Sequence, residues 1–331
     1  MTHRAVALLS GGLDSTLAVR LILDQGIEVH ALNTSTLFCN CNRAGRCESA
    51  RVAEEFSIPL RRVVLTDEFF AVLRNPKHGY GSGMNPCLDC RMLLFTKGKA
   101  YMQEVGASFV FTGEVLGQRP MSQHLQAMRL IDAETGLEGR VLRPLSAKLL
   151  PPTFPEKEGI VQREELLAMR GRTRRPQMRL AAERGIDDYP CPAGGCRLTD
   201  PGFARRMRDL LMYKPDFDLN DVELLKLGRH FRLSSHAKVI VGRQESENNL
   251  LRVLANPGDV LFEARDAVGA LALLRGEAQP GDMNKTAAIV ARYSDAPVSE
   301  VAVRHATADA TMEGLIWVIP LGEQELASLR V

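Results

Sequence analysis

Close to the start, the chain reads Ser10-Gly11-Gly12-Leu13-Asp14-Ser15. Glycines without side chains let backbone N–H groups close on a phosphate, and a helix start favours negative charge. The hydroxyls of Ser10 and Ser15 add donors. No lysine stands where a loop gripping β- and γ-phosphates needs one, so the run suits a departing pyrophosphate. Asp14 would repel a bound polyphosphate unless a divalent cation compensates, and Mg²⁺ is expected beside it. A simple capped helix would leave this combination of serines, glycines and aspartate unexplained.

Seven cysteines supply the second chemistry. They fall as Cys39, Cys41 and Cys47, then Cys87 and Cys90, then Cys191 and Cys196. In Asn85-Pro86-Cys87-Leu88-Asp89-Cys90, Asn85 suits a helix N-cap and Pro86 the first helical position, so both thiols sit in the first turn on one face. A helix start is expected to lower their pKa and favour the thiolate. Cys191 and Cys196 bracket a Pro-Ala-Gly-Gly loop able to wrap an ion or cluster.

Three readings of these thiols stay open. Cys87, Cys90, Cys191 and Cys196 could hold a structural tetrahedral Zn²⁺. Three of them, Cys87, Cys90 and Cys191, could hold a 4Fe-4S cluster with one iron open to sulfur. A catalytic pair, Cys90 with Cys191 or Cys196, could carry a persulfide and resolve it as a disulfide. Cys39, Cys41 and Cys47 follow the second strand and could form a second metal or sulfur site, but without a strong ligand spacing they are expected as reduced thiols near the nucleotide edge. His78, alone in its loop, could serve as a base or phosphate contact, but a lone loop histidine more often does neither.

These residues need a scaffold, and the first half offers one. Ala5 to Leu9 reads as a buried strand, and Leu13, Leu17 and Leu21 recur at helical spacing until Gly26. Val29 to Thr34, Leu60 to Leu65 and Ser108 to Thr112 read as further strands, with helices over Cys47 to Phe56 and Arg91 to Gly106. This is an α/β, doubly wound parallel sheet. Residues 1–150 are expected to bind the nucleotide. Residues 151–214 read as a basic helical extension carrying a cysteine loop. Residues 215–331 read as a smaller C-terminal α+β domain, with a helix over Gln244 to Ala255. Its mixed strands fall in AKVIVG, VLFEA, GALALL, TAAIVARY and LIWVIPL.

With 331 residues, 45% hydrophobic and 25% charged, the chain is long enough for two or three folded domains and is not a disordered polymer. No stretch approaches the roughly 20 apolar residues of a membrane helix, and no signal-peptide core opens the chain. A cytoplasmic location without membrane contact is expected, where thiols stay reduced. The net charge of +2 does not announce nucleic-acid binding. Between Arg140 and Lys214, however, sixteen Lys and Arg face nine Asp and Glu, a segment suited to phosphates.

The run SGGLDS resembles the PP-loop of the ATP pyrophosphatases, which cleave ATP to AMP and pyrophosphate to activate a carbonyl oxygen. The resemblance implies an adenine nucleotide alpha hydrolase-like fold with ATP held by Ser10, Gly11, Gly12, Asp14 and Ser15. The NPCLDCR segment, with the later Thr112-Gly113-Glu114, Gln118 to Gln123 and Arg143-Pro144-Leu145, resembles the tRNA thiouridine synthases of the tRNA 4-thiouridine synthetase and tRNA 2-thiouridylase type. That likeness covers about residues 4 to 200 and implies Thr112, Gly113 and Gln118 in the nucleotide site. Cys191 matches the third cysteine of cluster-dependent members. Cys196 is extra, and the N-terminal RNA-binding domain usual in the tRNA 4-thiouridine synthetases is expected to be absent.

Gly228 to Arg232 and Lys238 to Asn249 resemble the RNA-binding region of the NFACT proteins. Together the resemblances imply ATP-dependent tRNA sulfur transfer, with Asp14, Cys90, Cys191 and Cys196 at its centre. The implied partners are tRNA and a sulfur donor, either a cysteine desulfurase or sulfide; a homodimer is a candidate assembly. Two rivals are an amide- or nitrile-forming enzyme with structural zinc, acting on a small molecule, and an RNA-binding adaptor whose loop only binds nucleotide.

Overall fold

The computed structural model describes residues 3–39, 42–43, 46–189, 195–295, 300–310 and 313–331. It divides into two compact units, Met1–Thr199 and Asp200–Val331.

In β1 (Arg4–Leu8), Ala5 and Ala7 join one buried cluster while Val6 joins another on the opposite side. A strand covered on both faces belongs in the middle of a parallel sheet. There follow α1 (Leu13–Leu23), β2 (Glu28–Ser35), the short strands β3 (Asn42–Arg43) and β4 (Arg46–Cys47), α2 (Glu48–Glu55) and β5 (Leu60–Val64). Next come α3 (Asp67–Arg74), α4 (Cys87–Glu104), β6 (Phe109–Thr112), α5 (Leu125–Glu134), β7 (Val141–Leu142), α6 (Phe154–Lys157) and α7 (Arg175–Glu183).

The main sheet has the order β5-β2-β1-β6-β7, and every pair is parallel. Strand order reverses between β1 and β6, where such sheets open a crevice at the strands' carboxyl ends. The expected strands are present, with ends displaced by a residue or two. One helix start differs from expectation. Pro86 occupies the N-cap of α4 with ψ 63°, and Cys87, not Pro86, is the first helical residue.

The second unit contains α8 (Pro201–Tyr213), α9 (Leu219–Leu224), β8 (Arg229–Arg232), β9 (Ala237–Val241), α10 (Glu245–Leu254) and β10 (Val260–Ala264). It ends with β11 (Ala272–Gly276), α11 (Pro280–Arg292), β12 (Val301–Thr307), β13 (Glu313–Val318) and α12 (Glu323–Leu329). Its sheet, ordered β13-β12-β10-β11-β9-β8, is antiparallel throughout, as suits the expected α+β domain.

The run TAAIVARY, predicted as a strand, lies in α11. Gln279 and Asp282 form a reciprocal capping box and Pro280 sits in the first turn, so the helix is nucleated before the apolar run begins. Ala287 to Ala291 are all buried, and a short, fully buried apolar run carries no period that separates helix from strand. No helix among the described residues is long and apolar enough to cross a membrane.

Candidate functional site

The loop after β1 is shaped by what it touches. Gly11 has φ +79°, and a β-carbon there would lie 2.5 Å from the Glu48 carbonyl carbon and the Ser49 nitrogen. Only glycine lets the loop lie this close to the start of α2. Gly12 caps α1, and its carbonyl accepts from Ser15 Oγ at 2.8 Å and Thr16 Oγ1 at 3.2 Å. The Ser10 and Ser15 hydroxyls are 3.1 Å apart. No side chain caps α1 among the described residues. Its first N–H groups therefore suit an anion.

Asp14 stands in the first turn of α1. Gln118 Nε2 donates to Asp14 Oδ2 at 3.1 Å, and Arg174 Nη2 lies 3.6 Å from the same oxygen. Asp14 Oδ1 is buried and meets no hydrogen-bond partner among the described residues. A buried carboxylate oxygen left unpaired is costly. A hard, oxygen-seeking Mg²⁺ would satisfy it, so the residues fit that ion.

The end of β6 closes the other side. A β-carbon on Gly113 would fall 2.4 Å from Ser15 N and 2.5 Å from the Asp14 carbonyl carbon, so this strand end docks directly on α1. Thr112 Oγ1 accepts from Glu114 N at 3.1 Å. Glu114, 2% exposed, is held by Arg143 Nε at 3.0 Å and Arg91 Nη2 at 3.1 Å. Arg143 also makes two bonds to Asp132, each 2.8 Å.

Burial pushes the Glu114 carboxyl up, but the Arg91 and Arg143 guanidiniums outweigh it and hold its pKa below the ordinary value. Asp132 goes the other way: burial prevails over Arg143 and raises it. The network joins α4, the end of β6, α5 and the Arg143-Pro144-Leu145 turn into one rigid support.

The thiols converge from three segments. Cys87 is the first residue of α4 and Cys90 lies one turn on. Cys39, beyond β2, makes an antiparallel bridge with Cys196, and Arg197 N donates to Phe38 O at 2.9 Å. Met84 N donates to Leu198 O at 2.9 Å, tying the approach to α4 to the same strip. Cys39, Cys87, Cys90 and Cys196 line one cavity of about 290 Å³ together with Ser10, Gly12, Asp14, Ser15, Thr112, Gly113 and Gln118.

The expected lowering of the thiol pKa does not hold for Cys90. Burial pushes it up, neighbouring thiols add to the rise, and Arg91 offsets only part. Cys196 is pushed up to about 12, again by burial first. At the start of α2, burial raises Cys47, but hydrogen bonds from Ser49 and the Ala50 N–H outweigh it and bring this thiol below its ordinary value.

Cys41 and Cys191 lie outside the described residues. Among the described residues, no three His, Cys, Asp or Glu side chains converge closely enough to hold a metal ion. The described thiols are soft donors of the right kind, yet without Cys191 they do not compose a zinc or iron–sulfur site.

One site residue, Arg174, escaped the sequence reading, and others are held by contacts that it did not foresee. Cys39 reaches the cavity through its backbone bridge to Cys196, for which spacing gave no sign. Arg174, counted only in a basic run, enters as the partner of Asp14. Ser122 Oγ and Gln123 Oε1 are buried in the cavity wall without partners among the described residues, two polar atoms available to a ligand. His78 lies outside that wall, 3.2 Å from Glu134.

A parallel sheet with a glycine loop at its reversal point and an uncapped helix behind it is suited to holding a nucleotide's phosphates. Residues 1–148 match the family described as thiamine biosynthesis protein (ThiI), and residues 228–330 match the NFACT protein RNA binding domain. On these matches the N-terminal part is similar to the ThiI family, and the C-terminal part is similar to the NFACT RNA-binding region.

A tRNA-specific 2-thiouridylase MnmA of Rippkaea orientalis is 28% identical over 243 residues, covering 69% of this chain and 65% of that protein. A probable tRNA sulfurtransferase of Moorella thermoacetica is 34% identical over 152 residues, 44% of this chain and 37% of that one. The chain thus spans less than two thirds of the length of these relatives. A solved 4-thiouridine synthetase–RNA complex with bound ATP matches at TM-score 0.38 and 22% identity, over 68% of this chain and 52% of that one.

Proposed function

We propose that the chain adenylates a carbonyl oxygen of a tRNA uridine and replaces that oxygen with sulfur. The observation that carries this reading is a single cavity opening on both the glycine loop and four thiols, Cys39, Cys87, Cys90 and Cys196. Activation by ATP and delivery of sulfur then meet at one carbon.

The first N–H groups of α1, with Ser10 and Ser15, bind the pyrophosphate portion of ATP as the uridine oxygen attacks the α-phosphate. Arg174 balances Asp14, and Mg²⁺ on Asp14 supplies neutralising charge when bound. Gln118 orients Asp14. Pyrophosphate leaves, and the AMP ester makes the carbonyl carbon electrophilic. The outer sulfur of a persulfide received from a cysteine desulfurase attacks that carbon and displaces AMP. A second thiol then breaks the S–S bond, freeing thiouridine and leaving a disulfide for an external thiol reductant. Where sulfide is the donor, it displaces AMP directly, in a cavity from which water must be excluded.

Cys90, Cys191 and Cys196 are the candidate sulfur carriers. Cys87, Cys90 and Cys191 are the candidate holders of a 4Fe-4S cluster, or with Cys196 of zinc; a cluster would offer an open iron to sulfide. A cysteine desulfurase or sulfide supplies the sulfur, in the cytoplasm, and residues 215–331 hold the RNA. The test is incubation with ATP and unthiolated tRNA, in separate runs with sulfide and with a cysteine desulfurase, cysteine and a thiol reductant, followed by pyrophosphate assay and nucleoside analysis. Pyrophosphate release that depends on tRNA and yields thiouridine sustains the reading. Release that ignores tRNA, or tRNA returned unmodified, rejects it.

A further inference from the structure

A second cavity, of about 240 Å³, lies wholly within the C-terminal unit. That is below the roughly 300–1,000 Å³ typical of drug-sized ligands, so it takes one small unit. Its wall includes His230 and Arg232 of β8, Lys238 of β9 and Tyr213 at the end of α8. Lys214 and Arg275, which are both paired with Asp221, and Glu277 also line it.

His230 carries the argument. It is 2% exposed, and its Nε2 lies 2.8 Å from the Leu227 carbonyl oxygen. A carbonyl only accepts, so Nε2 bears the hydrogen and a neutral ring presents Nδ1 as a bare lone pair. Burial first, then Lys238 and Arg206, lower the pKa of this ring well below the ordinary histidine value and keep it neutral. Nδ1 is buried and finds no partner among the described residues. A polar atom left so is costly, and it calls for a group that donates a hydrogen.

The surrounding charges call for something else. Arg232 and Lys238 share one carboxylate, Asp209, at 2.7 and 2.6 Å, so two cations meet a single anion. Lys238 is 8% exposed and lines the same wall. Burial pulls its pKa down to about 8 and Asp209 opposes the fall, so it keeps its proton at neutral pH. At the rim, Tyr213 is 42% exposed with the Arg232 guanidinium 4.3 Å from its ring centre. A ligand suited to all of these bears a negative or carbonyl oxygen, an N–H or O–H, and a flat face.

We propose that this cavity takes one unstacked nucleotide of RNA, its base or ribose donating a hydrogen to His230 Nδ1 and its oxygens facing Lys238 and Arg232. Single-stranded RNA is read by such splayed nucleotides, whose edges and 2′-hydroxyls carry the donors and whose bases stack on aromatic rings. The inference rests on the reading above that the chain acts on tRNA, and it adds which residues would grip the RNA.

The full chain carrying ¹⁵N-labelled histidine is titrated with bulk tRNA and, separately, with inorganic phosphate. The resonance of His230 is assigned by its loss in His230→Gln. We expect tRNA to move the Nδ1 signal from a free lone pair toward a hydrogen-bonded one, and phosphate to leave it in place. Lys214→Ala, at the rim, is expected to weaken tRNA binding several-fold. An Nδ1 signal unmoved at saturating tRNA overturns the proposal, as does an equal shift with phosphate alone. Pyrophosphate release is followed in the same sample. Release stimulated by tRNA while Nδ1 stays unmoved removes the pocket and leaves the proposed function standing. A chain that binds no tRNA and releases no pyrophosphate in its presence removes both.

Discussion

Gln118 Nε2 donates to Asp14 Oδ2 at 3.1 Å, joining the segment after β6 to the first turn of α1 across the reversal point of the sheet. The bond leaves the other Asp14 oxygen, buried and unpartnered, as the atom available to a cation. We expect Asp14→Asn to remove pyrophosphate release by a factor of a hundred or more, on the order of 3 kcal/mol of transition-state stabilisation. Gln118→Ala should cost less, about tenfold, because it frees the carboxylate without removing it. Pyrophosphate release against Mg²⁺ concentration checks this: Gln118→Ala should need more Mg²⁺, and Asp14→Asn should not recover at any concentration.

Gly113 offers a purely steric test. A β-carbon there would sit 2.4 Å from Ser15 N, against backbone that cannot swing aside. Gly113→Ala must therefore lift the end of β6 off α1, at a cost of about 1–3 kcal/mol by the usual toll of overpacking. Chemical denaturation should register that loss, and the KM for ATP should rise with it. A variant with wild-type stability and KM would show that this contact does not position the loop.

Glu114 is buried between two guanidiniums, and removing one member of such a network leaves uncompensated charge. We expect Glu114→Gln to lose roughly 3–5 kcal/mol. The sign of the pH effect follows from its lowered folded pKa. The unfolded carboxyl binds a proton first, so the stabilisation is present above the ordinary carboxylate pKa of about 4.3 and fades as pH falls through the folded value. Urea midpoints measured from pH 6 down to pH 3 should fall more gently in Glu114→Gln than in the wild type.

Much of this scaffold was legible because β1, β2 and β6 are short apolar runs bounded by helical periods, a pattern only a covered parallel sheet explains. The run in α11 misled because its stretch from Thr286 to Ala291 is buried on every side and so lacks the polar stripe that marks a helical period. The glycine loop could be read since its chemistry is local, within six residues. Arg174, and the pairing of Cys39 with Cys196, could not be read in this way. Both depend on contacts distant in sequence, that of Arg174 being with Asp14, and local spacing holds no record of such contacts. Nor could spacing foresee Cys90, where position at a helix start suggested a thiolate and burial dictates a thiol.

That reversal can be measured on metal-free, fully reduced protein. The thiolate is the species that reacts with alkylating agents, so reactivity follows the fraction ionised and the access of the reagent. Burial raises Cys90 and Cys196, whereas Ser49 and the N–H groups at the start of α2 lower Cys47. Brief iodoacetamide treatment near pH 7.5, read by peptide mass spectrometry, should label Cys47 at least tenfold faster than Cys90. Raising the pH to 9 should leave Cys90 slow. Rapid labelling of Cys90 at pH 7.5 would mean that its thiol is ionised without any bound ion, and would favour it as a free-standing sulfur carrier over a metal ligand.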